Sequence, residues 1–189
     1  MDHGHLPAAA GRRRALSTAQ PDEEVVMRYA DGPTTEAETR VDADPVAVWE
    51  LVTDLGFLSG VSTEMQRAAW VGDAAPGPGA RIRGEHRHDA RGEWTTVSTV
   101  TGWEPGRVFE WTVEPDQDGG AAAVWRFELT PDDGGTRLRQ WARMGPGPSG
   151  LTEVIATRPE LEERIVAGRL REWQAGMERN LEAVREQVR

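Results

Sequence analysis

The chain has 189 residues, 38% hydrophobic and 29% charged, with a formal net charge of −10. That is the profile of a soluble globular protein with enough chain for one real core, and the acidic balance excludes a phosphate-neutralising nucleic-acid surface. There is no cysteine and all 22 basic residues are arginine, which removes disulfides, thiolate nucleophiles, Cys-type zinc sites and any Schiff base on a side-chain amine.

Met1 to about Val25 shows no periodicity and is rich in Ala, Arg, Gly and Pro. It reads as a disordered arm, leaving 26–189 as a single domain. The arm carries His3 and His5, so a metal-binding His-x-His or a partner-binding tail is the functional alternative. Arg12–Arg14 is basic, but no apolar stretch of roughly 7–15 residues follows, as a secretory signal requires. No apolar run approaches the roughly 18 residues of a membrane span. The expected location is cytoplasmic. Arginine and alanine in place of lysine is the usage of a GC-rich, actinobacterial type of genome.

Thr34–Val41 is predicted as a first strand. Asp44 then caps a helix with Pro45 at its first position and Val46, Val48, Trp49 and Val52 as an apolar stripe. A second short helix follows over Leu55–Gly60. From Glu64 to Met144 the period changes to two. The predicted strands are Gln66–Val71, Ala80–His88, Glu93–Trp103, Arg107–Glu114, Ala121–Pro131 and Thr136–Met144. Pro/Gly/Asp turns separate them, as in an antiparallel meander. Phe109, Trp111 and Val113 face away from Glu110, Thr112 and Glu114. Trp125, Phe127 and Leu129 likewise oppose Arg126, Glu128 and Thr130. A short helix is predicted over Leu151–Ala156. Pro159–Arg189 then reads as one long amphipathic helix. Leu161, Ile165, Leu170, Trp173, Met177, Leu181, Val184 and Val188 form its buried stripe, and Thr157 with Glu160 forms a capping box.

The order strand, helix pair, meander, long helix resembles the helix-grip fold of the SRPBCC (START-like) superfamily, in its polyketide cyclase/dehydrase branch. The resemblance is carried by Asp44-Pro-Val-Ala-Val-Trp49, Gly79-Ala-Arg-Ile-Arg-Gly84, Trp94, Glu104-Pro-Gly-Arg-Val-Phe109 and Gly134-Gly-Thr-Arg-Leu138, and spans about Thr34 to Val188. It implies an α+β fold in which a curved antiparallel sheet of about seven strands wraps around the C-terminal helix. It also implies a hydrophobic cavity between the two, for a lipid, sterol or polyketide, with cyclisation or dehydration in some members. These motifs are turn glycines, a helix start and core aromatics. They carry over no catalytic residue, cofactor or metal.

Candidate chemistry comes from strand parity. Ile82, Gly84, His86 and His88 share one face of their strand, toward the helix, and Arg81, Arg83, Glu85 and Arg87 the other. His86 or His88 could shuttle protons as general acid/base, the functional reading. The bland reading is a hydrogen-bonded lining residue and a solvated strand end. A His-x-His metal site lacks an evident third ligand. Gln140 shares the inward face of the last strand with Leu138, Ala142 and Met144, and must meet either a ligand or a neighbour. Thr96 and Ser98, on a strand whose facing is ambiguous, are weaker candidates. The chain has eight tryptophans. Trp111, Trp125 and Trp173, with Phe109, Phe127 and Met177, are expected to line a small-molecule pocket or else to fill the core. Trp141 shares parity with Arg139 and Arg143 and points outward, to a contact surface such as a homodimer interface, or to a seat for the arm. Glu64 and Glu153 flank the expected cavity mouths.

Three functions fit: a polyketide cyclase/dehydratase-type enzyme, a non-catalytic carrier or sensor of a polyketide-like or lipid-like molecule, and a protein-interaction module with a closed cavity.

Overall fold

The computed structural model describes Met1 and residues 27–73, 75–115 and 119–189. Apart from Met1, the arm expected over 1–25, with His3 and His5, lies outside the described residues.

A 3-10 turn, Tyr29–Asp31, precedes the first strand. In chain order the elements are β1 (Thr34–Val41), α1 (Pro45–Thr53), α2 (Leu55–Val61), β2 (Met65–Val71), β3 (Arg81–His88), β4 (Gly92–Glu104), β5 (Val108–Val113), β6 (Ala123–Asp132), β7 (Gly135–Met144), α3 (Gly150–Thr157) and α4 (Glu162–Gln187). The strands form one seven-stranded antiparallel sheet, ordered β1-β7-β6-β5-β4-β3-β2. This is the helix-grip architecture: two short helices after the first strand, a curved sheet and a long C-terminal helix.

The helix starts follow their caps. Asp44 Oδ1 accepts from the N–H groups of Val46 (2.8 Å) and Ala47 (3.1 Å), and Asp54 Oδ1 accepts from Phe57 N–H (3.0 Å); these satisfy donors that a helix leaves orphaned. Register shifts in β2 (Met65/Arg67) and β4 (Val100/Gly102) bend the sheet. Gly102 permits the second. A Cβ there would sit 2.9 Å from Glu110 Cβ across the strand pair.

The C-terminal helix is shorter than its pattern suggests. Pro159 pushes Arg158 out of helical geometry (φ −146°, ψ 65°). The chain makes a 3-10 turn at Pro159–Leu161 before α4 begins. Thr157 therefore closes α3 and caps nothing; its hydroxyl donates to Val154 O at 2.7 Å. A capping box does occur one helix earlier, between Ser149 and Thr152. With 26 residues, α4 spans about 39 Å. Its buried face is Val166, Leu170, Met177, Leu181 and Val184, with Ile165 only half-buried.

The apolar interior falls into two clusters. The larger joins Phe109, Phe127, Leu138, Leu181 and Val184 to α1, α2 and β1. The smaller joins Tyr29, Met144, Val166 and Leu170, with Leu151, Ile155 and Trp173 packed against it. Residues of both line one cavity.

Candidate functional site

The cavity lies between the sheet and α4 and holds about 240 Å³, somewhat below the roughly 300–1,000 Å³ of small-molecule pockets. Its apolar body comes from Phe109, Trp111, Trp125 and Phe127 on β5 and β6, Met144 on β7, and Trp173 and Met177 on α4. The rings form a continuous run. Trp111 and Trp125 lie parallel (9°) with centroids 6.4 Å apart, and Trp125 meets Trp173 at 4.7 Å. Phe109 touches Trp111 at 4.8 Å and links it to Trp103, Trp70 and Trp49 in the packed core. Tyr29 lines the cavity too. Its hydroxyl donates to Gly147 O (2.8 Å) and lies 3.0 Å from Ser149 Oγ. Burial pushes that phenol's pKa up, against the Ser149 hydrogen bond.

The polar groups sit in two places. On the sheet side of α4, Asn180 Nδ2 donates to Gln140 Oε1 at 3.2 Å, so the buried amide of β7 has a partner. The second group is larger. His86 Nε2 lies 2.9 Å from Thr96 Oγ1, and its ring stacks on Trp94 (centroids 5.2 Å apart, 12°). Gly84 makes this possible. It precedes His86 by two residues on the same face and pairs with Thr96. A Cβ on Gly84 would meet His86 Nε2 at 2.6 Å and Thr96 Oγ1 at 3.0 Å. The bare backbone lets the imidazole fold back over it.

Beside His86, Arg169 of α4 donates to Glu64 of the α2–β2 link from both terminal guanidinium nitrogens (2.6 and 2.8 Å) and reaches Glu172 at 3.0 Å. Its side chain is only 16% exposed. Burial acts to lower the guanidinium's pKa, but the bonds and charge of Glu64 and then Glu172 more than offset it. For His86 burial is the largest influence and holds the pKa below its ordinary value; Glu64 opposes this, and Arg91 and Arg169 add to it. The imidazole is therefore neutral at neutral pH and able to accept a proton. Among the described residues no group of three or more His, Asp or Glu is placed to hold a metal ion, and no helix is long and apolar enough to cross a membrane.

Residues 33–188 match the family model for polyketide cyclase / dehydrase and lipid transport proteins. The chain belongs to this family. No curated protein matches the sequence. Among solved structures it is similar to the polyketide-cyclase-like protein Cgl2372 of Corynebacterium glutamicum, with 24% identity and a TM-score of 0.57 over 82% of this chain and 90% of that one. It is also similar to TTHA0849 of Thermus thermophilus (20% identity, TM-score 0.58, 82% and 97% covered). Ms6760 of Mycobacterium smegmatis is a third (16%, TM-score 0.54, 84% and 92%). At these identities the structures share the fold.

On this polyketide cyclase/dehydrase-family scaffold, His86, Gln140, Trp111, Trp125, Trp173, Phe109, Phe127 and Met177 all line the cavity, as do Thr96, Ser98 and Glu64. His88 does not. It sits at the strand end, where Nδ1 accepts from Ala90 N–H (3.2 Å) and Nε2 faces Glu172 at 3.6 Å. Glu153 is exposed on α3. Trp141 is half-buried on the outer face of the sheet, with the Arg126 guanidinium 5.2 Å from its ring centroid. Parity could not single out Arg169, Arg91, Asn180 or Tyr29. The two helix residues are polar positions at the edge of the buried stripe, Arg91 lies in a turn, and Tyr29 ahead of the first periodic segment. The spacing of Arg169 four residues before Trp173 was the available signal, since it puts both on one helix face.

Proposed function

We propose that the cavity binds a hydrophobic, polyketide-like molecule and that His86 is its general acid/base in a cyclisation with loss of water. The observation that carries this reading is a half-buried imidazole, its pKa held below the ordinary value, at the polar end of an aromatic cavity. His86 takes a proton from a carbon flanked by carbonyls. The resulting carbanion adds to a second carbonyl carbon, closing a carbon–carbon bond, and the new alkoxide receives the proton back. Removal of a further proton beside the new hydroxyl, with that hydroxyl leaving as water, completes the dehydration. The cavity's aromatic walls orient the chain and exclude water, and Gln140 holds a carbonyl by donating from its amide nitrogen. His88, outside the lining, has no part in these steps.

One observation favours a second reading, a non-catalytic carrier of a polyketide-like or lipid-like molecule. His86 is already partnered by Thr96 and stacked on Trp94, as a purely structural lining residue would be. Native mass spectrometry of protein purified from its own host separates the two. The enzyme reading expects His86→Asn to retain a ligand heavier by one water than the wild type retains. Equal ligand masses in both proteins would leave the carrier. In either case Trp125→Ala should lose the ligand, and retention of an unchanged ligand by that variant would remove the cavity reading.

A further inference from the structure

We propose that the cavity selects ligands that carry an anionic oxygen group, a carboxylate foremost, and that Arg91 reads that group. This deepens the ligand-binding reading above and rests on it.

The lining carries five charged side chains: Glu64, Glu114, Glu172, Arg91 and Arg169. Four are committed to protein partners. Arg169 holds Glu64 and Glu172. Glu114 is held by Arg81 (2.8 Å) and by the Thr99 hydroxyl (2.9 Å). Arg91, in the turn between β3 and β4, is exposed at the rim of the cavity, and among the described residues it forms no ion pair and its guanidinium donates no hydrogen bond. In a chain with a net charge of −10, a rim cation that no described carboxylate pairs is available to an anionic ligand.

Its position is also defined. The guanidinium carbon lies 4.2 Å from the centroid of the Trp94 ring, a cation–π contact that orients the fork. On another side it rests against Gly150, the first residue of α3. A Cβ there would come within 2.8 Å of the guanidinium carbon and 2.6 Å of a terminal nitrogen. The indole and the bare backbone thus hold the planar group in place while its donors stay open, the geometry that a carboxylate meets with two parallel hydrogen bonds. Trp94 also stacks on His86, so a carboxylate on Arg91 would fix a ligand's polar end beside the imidazole and leave its apolar body along Trp111, Trp125 and Trp173. Arg91's charge reaches His86, as one of the influences lowering that residue's pKa.

The test is isothermal titration calorimetry of the full chain with naphthalene-2-carboxylate and with decanoate, each beside its uncharged methyl ester. The wild type should bind each acid about tenfold or more tightly than its ester, the scale of one charge-assisted hydrogen-bonded pair. Arg91→Gln should abolish that preference and leave ester binding unchanged. Gly150→Ala, which crowds the guanidinium without removing its charge, should reduce it. Equal binding of acid and ester by the wild type, or a preference that survives Arg91→Gln, would overturn the proposal while the ligand reading stands. No binding of any probe would contradict both.

Discussion

Arginine–glutamate pairs lie on both sides of this sheet, and the two sets differ in what they can do. On the outer face, Glu110, Arg126, Glu128, Arg139 and Glu36 form a chain across β5, β6, β7 and β1. Arg126 and Arg139 remain 36% and 31% exposed. Burial acts to raise the Glu128 carboxyl, but Arg126 and Arg139 more than offset it and hold its pKa below the ordinary range. Glu110 is 18% exposed, but both arginines of this chain keep water as an alternative partner, so each pair contributes little alone. On the inner face, Arg169 and Glu64 are 16% and 28% exposed and border an aromatic cavity. There each is the other's main partner. The same chemistry is a solvated lattice outside and a fixed strut between α4 and the α2–β2 link inside.

The largest expected effect follows from breaking the strut on one side. Arg169→Met should destabilise the fold by about 2–4 kcal/mol, because Glu64 is left half-buried and unpaired. Adding Glu64→Leu should recover most of that loss, which chemical denaturation would show. If the single variant loses less than about 1 kcal/mol, the inner pair is no different from the outer ones. A smaller effect is expected outside: Arg139→Ala should cost about 0.5–1 kcal/mol and fade with salt.

Gly84→Ala sharpens the contrast without touching a charge. The added methyl would contact the far end of the His86 ring rather than backbone, so the ring should swing away at a stability cost of about 1 kcal/mol or less. The check is the His86–Thr96 contact, read by NMR of the imidazole. An unmoved ring would show that the bare backbone at 84 is not what seats it.

The smallest effect is the pH dependence of His86. Its folded pKa lies below its unfolded value, so the unfolded chain binds more protons as pH falls through the ordinary histidine range. Stability contributed by the neutral ring is complete above that range and lost on acidification. The melting temperature should therefore fall between about pH 7 and pH 5, and fall less steeply in His86→Asn. Identical slopes would contradict a lowered His86 pKa in the folded chain.

Much of this was legible in the sequence because strand parity is local. Period two placed Phe109, Trp111, Trp125, Phe127 and Gln140 on the inner face, and Asp44-Pro45 marked the start of α1. What escaped depends on contacts distant in the chain. Arg169 and Glu64 are 105 residues apart, and the Tyr29 hydroxyl finds Gly147 118 residues on. His88 shows the limit of parity itself. It shares a face with His86, but the strand ends there, and the ring turns to Ala90 and Glu172 instead of the cavity. The separation of the last two helices at Pro159 was legible, since a residue before proline avoids helix; the 3-10 turn at Pro159–Leu161 was not, because Leu161 fits the apolar spacing of the helix that follows.

The proposed ligand site is the space between the sheet and α4. The most direct measurement is two-dimensional NMR of the eight indole N–H groups during titration with naphthalene-2-carboxylate. The account predicts that Trp94, Trp111, Trp125 and Trp173 shift together and saturate, while Trp141 on the outer face stays still. Stationary lining indoles, or a shift confined to Trp141, would contradict it.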